Sequence, residues 1–174
     1  MLEENGKIYD YQNAIGMVIT CDSKKMTDVK CNENGWNHAY VMGVENLGSG
    51  RWCVTERIEE GITPMTKDDD IEKNMNGYSE TEQMLKNYTA NVQGSYSAFE
   101  SIRKYRNSNK IPDGLNRSPW FVPSIGQWFD MLVNICGKSP RDFRNETSNG
   151  LNDTGWGQET LDKLTIQLSK VGNS

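Results

Sequence analysis

Ser118-Pro119-Trp120-Phe121-Val122-Pro123-Ser124-Ile125-Gly126-Gln127-Trp128 is the stretch on which the reading of this chain turns. Ser124 and Gln127 have capping-box spacing, in which a hydroxyl and a side-chain amide serve the free N–H groups at a helix start. Pro123 precedes the cap. Ile125, Trp128, Phe129, Leu132 and Ile135 then recur at helical spacing, and Gly137 is a natural stop. The pattern predicts a helix from the Ser124 cap to Gly137 with that stripe turned to the core. It makes Trp128 a buried residue and gives Gln127 no catalytic role. On that reading Trp128→Ala costs roughly 3–5 kcal/mol.

Upstream, the periodicity changes. Ile15 to Cys21 is a short apolar run with β-branched residues and predicts a buried strand. His38 to Glu45 predicts a second strand and Arg51 to Thr55 a third. The five residues Asn46 to Gly50 fit a hairpin loop, so strands two and three are expected to pair antiparallel. Asp22 to Gly35 and Glu56 to Gly77 read as loops. Ser79 with Glu82, and Ser97 with Glu100, repeat the capping-box spacing, and each predicts a helix behind it. A last helix is expected from Gln158 to Lys170 through Leu161, Leu164 and Leu168. Residues 1–13 read as a tail or first strand, and residues 14–174 as a single domain. Short strands early and helices later, without βαβ alternation, predict an α+β fold.

A chain of 174 residues suits one domain with a core of its own. The net charge is -5, and the basic residues are scattered, with Arg103, Lys104 and Arg106 together on a predicted helix. A solvated helix face accounts for them, so nucleic acid is not an expected partner. No apolar run is long enough to span a bilayer, and the polar, acidic start lacks the regions of a signal peptide. That start fits a cytosolic chain or a mature segment begun with a new Met1. Cys21, Cys31, Cys53 and Cys136 are widely spaced, and His38 is the one histidine. A zinc site is not expected. Cys21 and Cys31 could close a loop, or remain buried thiols.

Catalytic signatures are absent. There is no G-x-S-x-G, Gly48-Ser49-Gly50 lacks the continuation of a phosphate loop, and His38 in an apolar strand reads as a structural residue. No cofactor is expected. Asp68, Asp70, Asn74 and Asn76 place oxygen atoms at alternating positions, a weak match to a calcium loop, since Gln83 stands where a bidentate Glu belongs. A solvated acidic loop is the favoured reading. Of the five tryptophans, Trp156 is set apart: it lies between two glycines, in a loop with Asn149, Asn152 and Asp153. An exposed aromatic beside amides and an acid suits a ligand contact, and could equally plug the core.

The stretch from Ser118 to Trp128 resembles the W-[YF]-[LV]-P-S-x-G-[QE]-[WL] signature of the Fibrobacter succinogenes major paralogous domain family. These domains are common in cell-surface proteins of gut bacteria. Ala14 to Ile19 followed by His38 to Met42 resembles the family's opening strands. Asn76-Gly77-Tyr78-Ser79-Glu80-Thr81 is similar to a segment that leads into a helix there. The resemblance implies a C-type-lectin-like fold, shared with formylglycine-generating enzymes, and a secreted or surface location. It implies binding or adhesion, with an unknown protein or glycan as ligand; some relatives are variable receptor-binding proteins. The related enzymes use a cysteine pair that cannot be placed on this chain's four, so no catalytic residue carries over. A structural subunit of a fimbrial or tip assembly is the alternative, and a formylglycine-generating-type enzyme a more distant one. Family members continue past the last helix into closing strands where this chain stops. Truncation at the C-terminus is therefore an expectation, with an open sheet edge that invites self-association or a partner chain.

Overall fold

The computed structural model of the protein describes residues 3–4, 7–8, 14–52, 59–62, 64–65, 68–87, 96–108, 114–137 and 154–170. The architecture is mixed and mostly helical, with an antiparallel two-stranded sheet near the N-terminus and helices after it. A two-residue pairing of β1 (Glu3–Glu4) with β2 (Lys7–Ile8) precedes that sheet. The sheet itself joins β3 (Gly16–Thr20) to β4 (Tyr40–Gly43), with Gly16 opposite Gly43 and Val18 opposite Val41. A bulge lies between Val18 and Thr20, and the Asn134 amide donates to the Ile19 carbonyl there (3.1 Å).

The pairing differs from the expected hairpin of strands two and three. The second strand turns to the first, across a connection of its own. Arg51 and Trp52 are not in a strand, and residues 53–55 lie outside the described residues. The backbone of Arg51 is engaged by a helix instead: its N–H donates to Ser97 Oγ (2.7 Å) and its carbonyl accepts from Ala98 (3.1 Å).

Two expected loops carry helices. Between β3 and β4 lie a short 3-10 turn, Ser23–Lys25, and α1 (Val29–Glu33). Their sequence signal is capping rather than periodicity. Asp22 accepts from the Lys24 N–H and Asp28 from the Cys31 N–H, satisfying donors that a helix start leaves free. Downstream, the acidic segment forms α2 (Asp68–Lys73), and Asn74, Met75 and Gly77 behind it are buried rather than on a surface loop.

α3 (Gly77–Asn87) begins before its expected cap, so Ser79 lies inside it and donates its hydroxyl to Asp28. In α4 (Ser97–Asn107) the N-cap is Tyr96 rather than Ser97. α5 (Ile125–Cys136) matches its expectation in extent: Ser124 is the N-cap, Gln127 Oε1 accepts from the Ser124 N–H (2.9 Å), and Gly137 closes it in the left-handed region (φ 66°). α6 (Thr154–Lys170) starts earlier than expected and packs against α5.

Among the described residues, two apolar clusters hold these elements together. Met84, Tyr96 and Phe99 join α3 to α4, with Leu85 and Val122 packed beside them. Met26, Tyr40 and Met75 form the other, closed by Phe121. The stretch from Trp120 to Gln127 runs between them. Thr81 Oγ accepts from the Val122 N–H (3.0 Å) and donates to its carbonyl (3.3 Å), fixing the extended segment to α3.

The buried face of α5 corrects the expected stripe. Trp128 is 44% exposed and Ile125 and Val133 are exposed with it, while Gly126, Gln127, Asp130, Met131 and Cys136 face inward. The interior they meet is lined by carbonyl oxygens. Ser124 Oγ and the Gly126 N–H both donate to the Asn74 carbonyl (2.6 and 3.1 Å), and Gln127 Nε2 donates to that of Met75 (3.1 Å). The Asp130 carboxylate pairs with Lys25. A side chain at 126 would put its Cβ 2.4 Å from the Asn74 oxygen, so only glycine permits this approach. A polar inner face is stable here because its donors meet acceptors that burial would otherwise leave unpaired. On α6 the expected stripe is met in part: Leu164 and Leu168 are half-buried, whereas Leu161 is 57% exposed and Thr160 faces α5, its carbonyl 3.8 Å from Cys136 Sγ.

Candidate functional site

A cleft of about 350 Å³ opens between the approach to β4 and the segment leading into α5. Its first wall is set by the end of α1. Gly35, at φ 70°, turns the chain, and the Trp36 N–H returns to the Cys31 carbonyl (2.8 Å). The Trp36 ring then stands edge-on to Tyr78, centroids 5.6 Å apart. Its indole N–H crosses to Asn116 Oδ1 (3.0 Å) and links the two walls.

The second wall is Leu115 to Phe121. Trp120 lies against Gly16 and Gly43, the cross-strand pair at one end of the sheet: a Cβ at either position would stand 3.4–3.6 Å from the indole ring. Two facing glycines give the ring a flat seat. Arg106 holds the Trp120 carbonyl through its Nε while its NH1 pairs with Glu82 at 2.6 Å. Cys31, Tyr40 and Phe121 also line the cleft. A narrower pocket of about 90 Å³ adjoins it on the far side of Trp120, between β4 and Trp128.

Burial and the neighbouring Asp28 carboxylate push the Cys31 thiol up to about 12, and burial pushes the Tyr40 phenol up to about 12. At neutral pH both are protonated, and a protonated thiol is a poor nucleophile. His38 is exposed at the rim, just outside β4, rather than in an apolar strand. The chemistry on offer is aromatic contact and hydrogen bonding, the usual make-up of a ligand pocket.

Comparison of the chain with protein-family models, with curated proteins and with solved structures finds no match in any of the three.

The residues singled out from sequence lie elsewhere. Asn149, Asn152 and Asp153 fall outside the described residues. Trp156 is in α6 rather than in a loop, and its side chain is outside what is described. Asp68 and Asp70 belong to α2. Asn74 is turned inward, its amide donating to Glu80 (2.9 Å) and its Oδ1 accepting from the Asn76 N–H (3.0 Å). Among the described residues, no three His, Cys, Asp or Glu side chains are grouped to hold a metal. No described helix is long and apolar enough to cross a membrane. Cys21 and Cys31, a conceivable disulfide, are both free thiols, the first exposed and the second buried. Sequence reasoning missed the cleft because it set Trp156 apart and gave Trp36 and Trp120 no place in a site. The available signal was the glycine at each strand end and the polar residues around both rings.

Proposed function

We propose that the chain is a non-catalytic ligand-binding or adhesion module of a bacterial or phage surface protein, built on a C-type-lectin-like α+β fold. The observation that carries this reading is the aromatic-walled cleft between Trp36 and Trp120, placed directly against the Trp120–Trp128 signature. Its resemblance to the Fibrobacter succinogenes major paralogous domain family supports the same reading and an extracellular or cell-surface location. Cys31, the cysteine that lines this cleft, is a buried and raised thiol rather than the reactive cysteine that formylglycine-generating chemistry needs. The ligand is a protein or a glycan presented outside the cell.

One observation favours a structural subunit of a fimbrial or tip assembly as a second reading. Val18 and Val41 are register partners, yet 58% and 43% exposed, on a sheet that has two strands among the described residues. Such a sheet can accept a strand from another copy or a partner chain.

The binding reading is tested by screening the immobilised chain against arrayed glycans and extracellular proteins. The comparison is Leu115→Glu, a change at an exposed residue of the cleft wall. Saturable binding that Leu115→Glu abolishes is expected. Absence of saturable binding, or indifference to Leu115→Glu, would remove the cleft as the site. Incubation with a cysteine peptide should leave its mass unchanged; conversion of that cysteine to an aldehyde would sink the non-catalytic reading.

A further inference from the structure

We propose that residues 114–119 form a strap beside the Trp36–Trp120 cleft, latched by the Trp36–Asn116 hydrogen bond, and that the strap swings out to admit a ligand. Its use as a gate rests on the binding role proposed above; the motion itself does not. The chain just beyond the strap is fixed. The Trp120 ring lies against Gly16 and Gly43, Arg106 holds the Trp120 carbonyl, and Val122 is bonded both ways to Thr81. Within the strap, two hydrogen bonds are made among the described residues. One is local, from Arg117 NH1 to the Ser118 carbonyl (3.1 Å). The other, from Trp36 Nε1 to Asn116 Oδ1 (3.0 Å), ties the strap to the facing wall.

Both sides of the latch have room to turn. Gly114, at φ 86°, opens the strap, and Gly35, at φ 70°, precedes Trp36; neither has an atom within 4 Å of where a Cβ would stand. Glycine in the left-handed region changes conformation without the side-chain cost other residues meet. Leu115 is 57% exposed and Asn116 is exposed beside it, so little apolar area anchors this end of the strap. Few buried contacts and few backbone bonds mark the segments that open first in a folded chain.

The energetics place the two positions close together. An indole N–H only donates, so the latch needs the Asn116 oxygen turned toward it. A solvent-exposed bond between neutral groups is worth little net, because water replaces it when it breaks. The latched position also carries a cost. The Arg117 Nε–H is sealed from solvent and has no hydrogen-bond partner among the described residues. A buried donor left in this way is destabilising, and a strap that moves out returns it to water. The bond broken joins the two walls of the cleft, so its loss frees a donor and an amide for an incoming molecule. Segments that open and close in this way commonly control entry to a site.

The test measures the distance between two nitroxide labels in the frozen, ligand-free chain by pulsed electron resonance, which records both positions of the strap however fast they interchange. One label is on the exposed Cys21 and the other on Leu115→Cys, in a Cys53→Ser background; Cys31 and Cys136 are buried. Two distance components are expected, the larger from the latched strap. Trp36→Phe keeps a ring and removes the donor, so the smaller component should grow roughly fivefold relative to the larger, the effect of one hydrogen bond. Asn116→Asp keeps an acceptor and adds charge to it, and should shrink that component. The helical signal of each variant is the control for folding. Should either fold poorly, the distribution in the chain with its native latch still decides. A single component there, or a shift in the same direction in both variants, would overturn the strap. Two components without binding in the array screen overturn the binding role and the gate with it; array binding to a chain with one component overturns the strap alone.

Discussion

Asp28 has no solvent exposure, yet its carboxylate is fully engaged. Oδ1 accepts from the Cys31 N–H (3.1 Å) and the Ser79 hydroxyl (2.6 Å), and Oδ2 from the Ser79 N–H (2.9 Å). One residue therefore caps α1 and fastens it to α3, as a buried carboxylate must if its desolvation is to be offset. The surrounding burial, and after it the same negative charge, hold the Cys31 thiol at about 12. Burial also raises the Cys136 thiol, whereas Cys21 is exposed. The thiolate is the reactive form, and its fraction at mildly alkaline pH is negligible for a group so raised. In a Cys53→Ser background, alkylation of the native chain is expected at Cys21 alone, with Cys31 and Cys136 modified only after unfolding. Peptide mapping by mass spectrometry reads this directly. A Cys21–Cys31 disulfide, or rapid labelling of Cys31 in the folded chain, would contradict it.

At the scale of the element, α5 shows how a correct helix can be placed on the wrong face. Its cap, its length and its glycine stop follow from sequence. Its orientation follows from the carbonyls of Asn74 and Met75, which need donors and find them in Ser124, Gly126 and Gln127. That demand turns the amide and acid side chains inward and leaves Trp128 beside the narrow pocket. Two substitutions separate the faces. Met131, 4% exposed, should lose roughly 2–5 kcal/mol on change to Ala, while Trp128→Ala should lose clearly less than the roughly 3–5 kcal/mol of a buried aromatic. Denaturant titration of both variants checks the order. If Trp128→Ala proves the more damaging, α5 is rotated from the orientation described.

At the scale of the whole molecule, the exposed Val18 and Val41 pair on a two-stranded sheet is the feature that bears on assembly. Apolar cross-strand pairs are usually covered, and open strand edges pair with other chains. Concentration-dependent self-association is expected in sedimentation velocity, reduced in a Val18→Lys, Val41→Lys double variant that keeps its helical signal. Monomers at every concentration would leave the second reading without support.

What the sequence by itself determined was local. Helix ends were legible where a cap, a stripe and a glycine coincided, as at Ser124 and Gly137. The strands near Gly16–Thr20 and Tyr40–Gly43 were legible from β-branched runs, and the early-strand, later-helix order from their sequence positions. The short helices Val29–Glu33 and Asp68–Lys73 were not, because five or six residues show too little period and rely on partners distant in sequence. Tertiary structure alone decided which strand β4 pairs with, since Arg51 is drawn to the start of α4. It decided which face of α5 is inside, since burial follows unpaired backbone groups as well as apolar area. The cleft belongs to the same class: residues near 36 and near 120 meet only because the Gly16–Gly43 pair leaves room for an indole ring beside the sheet.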